Sequence, residues 1–424
     1  MRRLPYRRRR PIFPLMNGTI DSDVLIVGGG LAGLSLALAC AQGGLSVTVV
    51  DALDPARVTD AGFDGRVSAI AFASCRMLEQ LGVVAHLGGQ MQPINDIMVS
   101  DGRVREGASP LFLHFDHKEI GDEPLGNLIE NRHIRIALGK AIESEARVRL
   151  IAPDAVRQVA YGAHVTATLA SGNKVTARLC FAADGRGSPT REAAGIRTVG
   201  WDYGQTGIVC TVEHELPHEG VAQEYFLPGG PFAILPMVGN RASLVWTEKT
   251  ADAKAILALD DAGFAEEMRA RFGDYLGQCA PVGPRWSYPL TLQLARDYVR
   301  PRLALVGDAA HGIHPIAGQG LNLGLRDVAA AAEVVVDAAR LGLDIGALDV
   351  LERYQRWRRF DNVALSLLMD GLNRLFSNDI GPLRLARDLG LGIVNELPPL
   401  RRFFMRHAGG AVGDLPRLLK GEAV

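Results

Sequence analysis

From Val24 to Val50 the chain runs 27 positions without a charged residue. A bilayer-spanning helix needs about 20 apolar residues, so length alone would permit one. The internal pattern argues against it. Asp23-Val-Leu-Ile-Val27 is a short strand-forming run, followed at once by Gly28-Gly-Gly-Leu-Ala-Gly33. Leu34 to Gln42 reads as a helix ended by Gly43-Gly44, and the β-branched run Val47-Thr-Val-Val50 stops at Asp51. This is strand, turn, helix, strand. It is apolar throughout because the strands of a parallel sheet are covered on both faces. A buried α/β unit is therefore expected, and no other stretch reads as a membrane span.

Gly28-x-Gly30-x-x-Gly33 sits directly after a strand and opens a helix, the context in which this spacing is informative. The first glycine allows the tight turn. The second lets backbone N–H groups approach a pyrophosphate. The third lets helix and strand pack closely, and the helix N-terminus adds partial positive charge. Asp51 follows Gly33 by 18 residues and closes the second strand, where a carboxylate can hold a ribose hydroxyl pair. A dinucleotide site is expected, although this motif does not choose between NAD and FAD.

Net charge is −1, but six of the first ten residues are arginine. The remainder carries 40 basic against 47 acidic residues, a net −7, so a nucleic-acid-binding body is excluded as the reading. The arginine run lacks a continuous apolar core and makes a poor secretory signal. It reads as a mis-assigned start, with translation beginning at Met16, or as a short basic arm touching anionic lipid. The five cysteines are scattered without metal-ligand spacing and read as free, buried thiols in a reducing compartment.

Two further segments resemble the group A flavoprotein monooxygenases, single-chain FAD enzymes that hydroxylate phenols. Ala182-Ala-Asp-Gly-Arg-Gly-Ser-Pro-Thr-Arg191 looks like that family's second fingerprint. The resemblance implies that Asp184 and Gly185 lie near both FAD and the nicotinamide cofactor. Leu303-Ala-Leu-Val-Gly-Asp-Ala-Ala-His311, followed by His314-Pro-Ile-Ala-Gly-Gln-Gly-Leu-Asn322, resembles the third. It implies that Gly307 and Asp308 hold the ribityl chain and that the Gly318-Gln319-Gly320 turn, continued by Asn322, faces the flavin ring. Arg66 matches the family's arginine near the cofactor. Pro315 and Gly318 are implied to steady a flavin C4a-hydroperoxide through their backbone. FAD is thus the implied cofactor, with NAD(P)H as a transient electron donor and O2 as co-substrate.

The residues agree with this. Leu303 to Val306 is an apolar strand whose end delivers Asp308. Gly318-Gln-Gly320 feeds an alanine-rich helix, Leu323 to Leu341, whose positive end would point at the flavin. Val165–Leu169 and 174–181 read as a hairpin across Ser171-Gly-Asn. His311 and His314 stand at i, i+3 in a glycine-proline loop without a third ligand, so no metal site is expected. Ser188 lacks a nucleophile elbow, so no protein nucleophile is assigned and the catalytic residues are left unknown.

A narrower resemblance covers nearly the whole chain beyond residue 20. Tyr354-Gln-Arg-Trp-Arg-Arg-Phe-Asp-Asn362, Met369-Asp-Gly-Leu-Asn-Arg-Leu-Phe-Ser377, Pro228-Gly-Gly-Pro-Phe-Ala-Ile-Leu-Pro236 and Leu125-Gly-Asn-Leu-Ile-Glu-Asn131 look like the ubiquinone-biosynthesis hydroxylases. This implies ring hydroxylation of a polyprenyl phenol, with a membrane surface and other quinone-biosynthesis enzymes as partners. Tyr354, Trp357, Phe360, Ala364, Leu368, Leu372 and Leu375 form an apolar stripe expected to pack on the FAD-binding domain. Between Arg353 and Arg406 ten arginines face five acids, a surface suited to anionic lipid. The expected location is cytoplasmic, peripheral to the inner face of the membrane.

The expected fold is α/β: a Rossmann-like FAD-binding domain (21–75, 100–195 and 290–345) with an inserted, mainly antiparallel β-sheet substrate domain (76–99 and 196–289) and a C-terminal helical region (346–424), after a basic extension over 1–20. Within the substrate domain, strands are expected at Gly207–Val212, Ala222–Leu227, Phe232–Met237 and Ala242–Thr247, with a helix near Phe264–Phe272. Three other readings compete: a hydroxylase of a small soluble aromatic, a non-oxygenating FAD-dependent reductase, and a non-catalytic flavoprotein scaffold.

Overall fold

The computed structural model describes residues 20–55, 66–105, 107–314, 318–378, 380–410 and 412–424. The basic extension, the Met16 question, Pro315 and the Asp64-Gly65 pair before Arg66 lie outside them.

The strand Ser22–Val27 is the centre of the first sheet. It pairs in parallel with Lys174–Ala182 on one side and Val47–Val50 on the other. Leu303–Leu305 and Val148–Ile151 extend the parallel order outward. The hairpin expected across Ser171-Gly-Asn is present, joining Val165–Leu169 to Lys174–Ala182 antiparallel. Helix Leu31–Gln42 is buried along almost its whole length between this sheet and helix Gln319–Arg340. Being hydrophobic all round, it fits a position covered from every side. Its uncharged sequence therefore serves a buried core, and no helix among the described residues is long and apolar enough to cross a membrane.

A second sheet of eight strands is antiparallel except for one parallel pair. It is built on two 17-residue strands, Thr198–His214 and Cys279–Ala295. Val221–Leu227, Gly230–Met237 and Arg241–Lys249 follow in register. Helix Asp261–Phe272 seals one face through Phe264 and Phe272 against Trp246. The other face looks toward the first sheet. The four expected strands and the helix all fall within observed elements, while 96–103 and 107–116, which straddle the boundary expected at residue 100, both join this second sheet. A chain break in apolar pattern marks a strand, but nothing local says which sheet it will enter. A small third sheet, Val67–Ala71, Gly126–Glu130 and Gln92–Ile94, lies between the two large ones.

Helix Leu348–Phe376 braces both large sheets. Near its start Tyr354 donates to the Leu305 carbonyl at 2.7 Å in the first. Near its end Asn373 donates to Gln205 at 2.8 Å and Phe376 stacks on Phe226 at 4.1 Å in the second. The expected apolar stripe holds only in part: Tyr354 and Trp357 pack on the core of the first sheet and Leu372 packs beside Phe376. Phe360 is 78% exposed, Leu368 51% and Leu375 40%, whereas Arg358, Asn362, Ser366, Asp370 and Asn373 face inward. The buried face is polar because it meets buried polar partners, which an apolar periodicity cannot register. Helices Gly381–Glu396 and Pro398–Ala408 complete the region. The first is tied to the second sheet by Arg387 and Asp101, both 2% exposed, at 2.7 Å.

Candidate functional site

The turn after Ser22–Val27 is built by glycine where a side chain cannot fit. Gly28 has φ +105°, and a Cβ there would lie 2.4 Å from the Ala183 carbonyl oxygen. A Cβ on Gly33 would lie 1.9 Å from the Gly28 carbonyl oxygen. Gly30, between them, is different: a Cβ would meet no atom within 4 Å. The turn is locked on one side and open on the other, as close approach of a phosphate requires.

That open side faces a cavity of about 630 Å³, within the usual range for small-molecule sites. Of the expected site residues, Gly30, Arg66, Gly185, Gly307, Asp308, Gly318, Gln319, Gly320 and Asn322 border it. Gly185 and Gly320, like Gly30, would place a Cβ in open space. The chain segments around residues 30, 185, 307 and 319, far apart in sequence, thus present bare backbone to one space. Helices Leu31–Gln42 and Gln319–Arg340 both begin here, and neither has an acid in its first turn. Two positive helix ends therefore converge, which favours an anion. Gly318 adopts the left-handed conformation (φ 61°, ψ 27°) that starts the second helix against Ala69.

Several expected residues also hold the backbone around the site. Asp51 accepts hydrogen bonds from the Gly29 N–H and from the Leu53 N–H, the latter at 2.6 Å, so its carboxylate shapes the glycine turn. Asp184 accepts from the Ser188 hydroxyl and from the Thr190 N–H at 3.1 Å, fixing the short helix Pro189–Ala193. Asn322 donates to the Ala69 carbonyl at 2.8 Å and accepts from the Ala71 N–H at 2.9 Å, latching the third sheet onto helix Gln319–Arg340. Asp308 is exposed at the rim of the cavity.

Sequence reasoning missed the charged cluster behind this turn. Asp327 is fully buried and its carboxylate accepts from His311, from Arg358 at 3.0 Å and from Asn362 at 3.0 Å. It also accepts from the Gly307 N–H at 3.2 Å, so the cluster fixes the Gly307-Asp308 turn from behind. Burial alone would raise the Asp327 pKa, but the positive charge of Arg358 and the bond from His311 outweigh it and hold the group ionised. The only signal in the sequence was an arginine and an asparagine four apart in the long helix. Arg191, equally overlooked, donates to the Arg186 and Ala309 carbonyls and ties the second fingerprint to the third.

His311 is thus engaged by Asp327. His314 lies edge-on to Tyr203, with ring centroids 5.2 Å apart. Burial pushes its pKa down to about 4, against the pull of Asp370, so it is neutral near pH 7. Among the described residues no group of three His, Cys, Asp or Glu could hold a metal. All five cysteines are free, and four are buried.

Residues 21–340 match the model of the FAD binding domain family. The chain belongs to that family. Ubiquinone hydroxylase UbiL of Rhodospirillum rubrum is 53% identical, over 96% of this chain and 95% of its own length. The 3-demethoxyubiquinol 3-hydroxylase of Escherichia coli is 36% identical, over 92% of this chain and 98% of its own. The crystal structure of p-nitrophenol 4-monooxygenase PnpA from Pseudomonas putida superposes with a TM-score of 0.77 at 18% identity, covering 93% of this chain and 99% of that one, a likeness of fold. The chain is an FAD-dependent aromatic hydroxylase with FAD as cofactor.

The site fits FAD on its own terms. Bare backbone at Gly30, Gly185 and Gly320 leaves room along one wall, and two helix N-termini suit a pyrophosphate. Bound FAD supplies electron transfer and oxygen activation; the chain supplies position, polarity and exclusion of water.

Proposed function

We propose that this hydroxylase adds oxygen to the aromatic ring of a polyprenyl phenol in ubiquinone biosynthesis, using NAD(P)H and O2. The observation that carries this reading is the 53% identity, over nearly the full length of both chains, to a ubiquinone hydroxylase. In this reading FAD is held by the glycine turns at 28–33, 185 and 318–320, with Arg66, Gly307 and Asp308 at the rim. Asp51, Asp184 and Asn322 act by shaping those turns. The lobe built on the first sheet takes FAD, and the second sheet covers the substrate.

A membrane surface is part of the proposal. Leu389, Ile393, Leu397, Leu400, Phe403 and Phe404 are exposed on the two C-terminal helices, among exposed Arg402 and Arg406. Met405 and Ala408 of the same region line the cavity. An apolar face with cations beside it suits an anionic bilayer, and its nearness to the cavity suits a substrate whose tail stays in lipid. The reading favours a polyprenyl over a small soluble phenol for that reason.

The test is a mass-spectrometric profile of lipids from cells lacking the gene and any second hydroxylase of the same step. Accumulation of a prenylated phenol short of one ring hydroxyl, with a fall in ubiquinone, is expected. Unchanged ubiquinone with no such phenol would remove the pathway and leave a hydroxylase of another aromatic.

A further inference from the structure

One wall of the cavity is the inner face of the second sheet, and its residues are set by strand register. Glu224 pairs with Ala233, Ala233 with Val245, and Val245 with Val209. All four border the cavity, so a row of three aliphatic side chains ends in a carboxylate. Among the described residues lining the cavity, the acids are Glu224 and Asp308. Asp308 belongs to the turn after Leu303–Leu305, on the FAD side. Glu224 stands on the opposite wall.

Glu224 is half-buried and opens onto the cavity, and its carboxylate has no hydrogen bond or ion pair among the described residues. Its strand neighbours are Ala233 on one side and Val99 on the other, neither of which can offer a partner. An unpartnered carboxylate in an apolar wall is costly unless something else satisfies it. Beside this row, Thr247 pairs with Gly207 and Gly207 with Tyr288. The Thr247 hydroxyl is buried, also lacks a partner among the described residues, and its residue borders the same space. The wall therefore presents an acceptor and a hydroxyl to whatever occupies the cavity.

We infer that Glu224 is a catalytic residue: it accepts the proton of the substrate's phenolic hydroxyl as the ring takes up oxygen. The inference deepens the proposed function and rests on a phenol being the substrate. Electrophilic attack draws electron density from the ring and makes its hydroxyl acidic. The phenolic O–H bond breaks, the proton passes to the Glu224 carboxylate, and the new carbon–oxygen bond forms at a neighbouring ring carbon. As the ring regains aromaticity it loses that carbon's hydrogen as a proton to water, and the phenolic oxygen recovers its proton from Glu224. The second oxygen atom of O2 leaves as water, with the electron pair from NAD(P)H. Burial raises the Glu224 pKa to about 7, which suits a general base working near neutral pH. The other titratable or charged groups bordering the cavity are Arg66, Arg186, Asp308, His314 and Tyr288; none is on a strand beside Glu224. His314 titrates near 4, so it does not produce a limb near 7.

The test uses the full-length, FAD-loaded enzyme with NAD(P)H, O2 and a phenol bearing a short polyprenyl tail. Wild type should show a hydroxylation rate that rises with pH through a limb near 7. Glu224→Gln should form product about 100-fold more slowly and lose that limb, while FAD content and NAD(P)H oxidation hold. Glu224→Asp should recover part of the rate. Glu224→Gln with product formation within about threefold of wild type and an unchanged pH profile would overturn the role. So would a wild-type profile flat around pH 7, which needs no variant to fold. Wild type that consumes NAD(P)H yet hydroxylates no polyprenyl phenol would instead overturn the proposed substrate, and this role with it; the two failures are read in different proteins.

Discussion

Gly33 and Gly30 stand three residues apart in one turn and do opposite things. Gly33 is needed because the Gly28 carbonyl oxygen occupies the space of a side chain, 1.9 Å away. Gly30 has extended backbone (φ −72°, ψ −176°) that any residue adopts and open space in front of it. Gly33→Ala should therefore damage the fold itself, costing about 2 kcal/mol or more in stability. Gly30→Val should leave the thermal midpoint of the apoprotein unchanged and weaken FAD retention by about tenfold, since it fills the space kept for the ligand. Thermal melts and flavin absorbance after gel filtration separate the two. The spacing of these glycines was legible because it is dictated by covalent geometry. The partners of Asp51, Asp184 and Asn322 were not. A motif fixes where a polar residue stands, but which donors reach it depends on segments as distant as Ala69 from Asn322.

Among the elements, the long brace Leu348–Phe376 shows how a periodicity can mislead. Its apolar stripe was visible, and core packing is the usual use of such a stripe. The helix packs Tyr354 and Trp357 inward as expected, but then buries Arg358 and Asn362 against Asp327 and leaves Phe360 and Leu368 outside. Sequence cannot reveal this, because the buried charge that reverses the preference lies on another helix. The same logic gives weight to the exposed apolar face of the two helices that follow. If that face rests on lipid, the triple variant Ile393→Glu, Phe403→Glu, Phe404→Glu should lose binding to vesicles containing anionic lipid by about tenfold or more. Its turnover of a phenol with a short tail in detergent-free buffer should stay unchanged, since none of the three residues borders the cavity. Equal vesicle binding by wild type and variant would assign the face to another occupant.

At the scale of the whole molecule, the segments around residues 30, 185, 307 and 319 present bare backbone to one cavity, the second sheet covers that cavity with an apolar wall, and one helix ties the two large sheets together. The α/β class, four strands of the second sheet and the C-terminal end of helix Gln319–Arg340 could be read from periodicity and glycine punctuation; the helix starts four residues before the expected Leu323, and strand Cys279–Ala295 carries no such signal. The entry of 96–103 and 107–116 into the second sheet could not, because register between distant strands is a tertiary choice. Insertion of oxygen into a polyprenyl phenol by this architecture is tested by a reaction of purified, FAD-loaded protein with NAD(P)H, a polyprenyl phenol and isotopically labelled O2, analysed by mass spectrometry. A product carrying one labelled oxygen on the ring, formed in step with NAD(P)H consumption, is expected. NAD(P)H oxidation with the phenol recovered unlabelled and unchanged would contradict it.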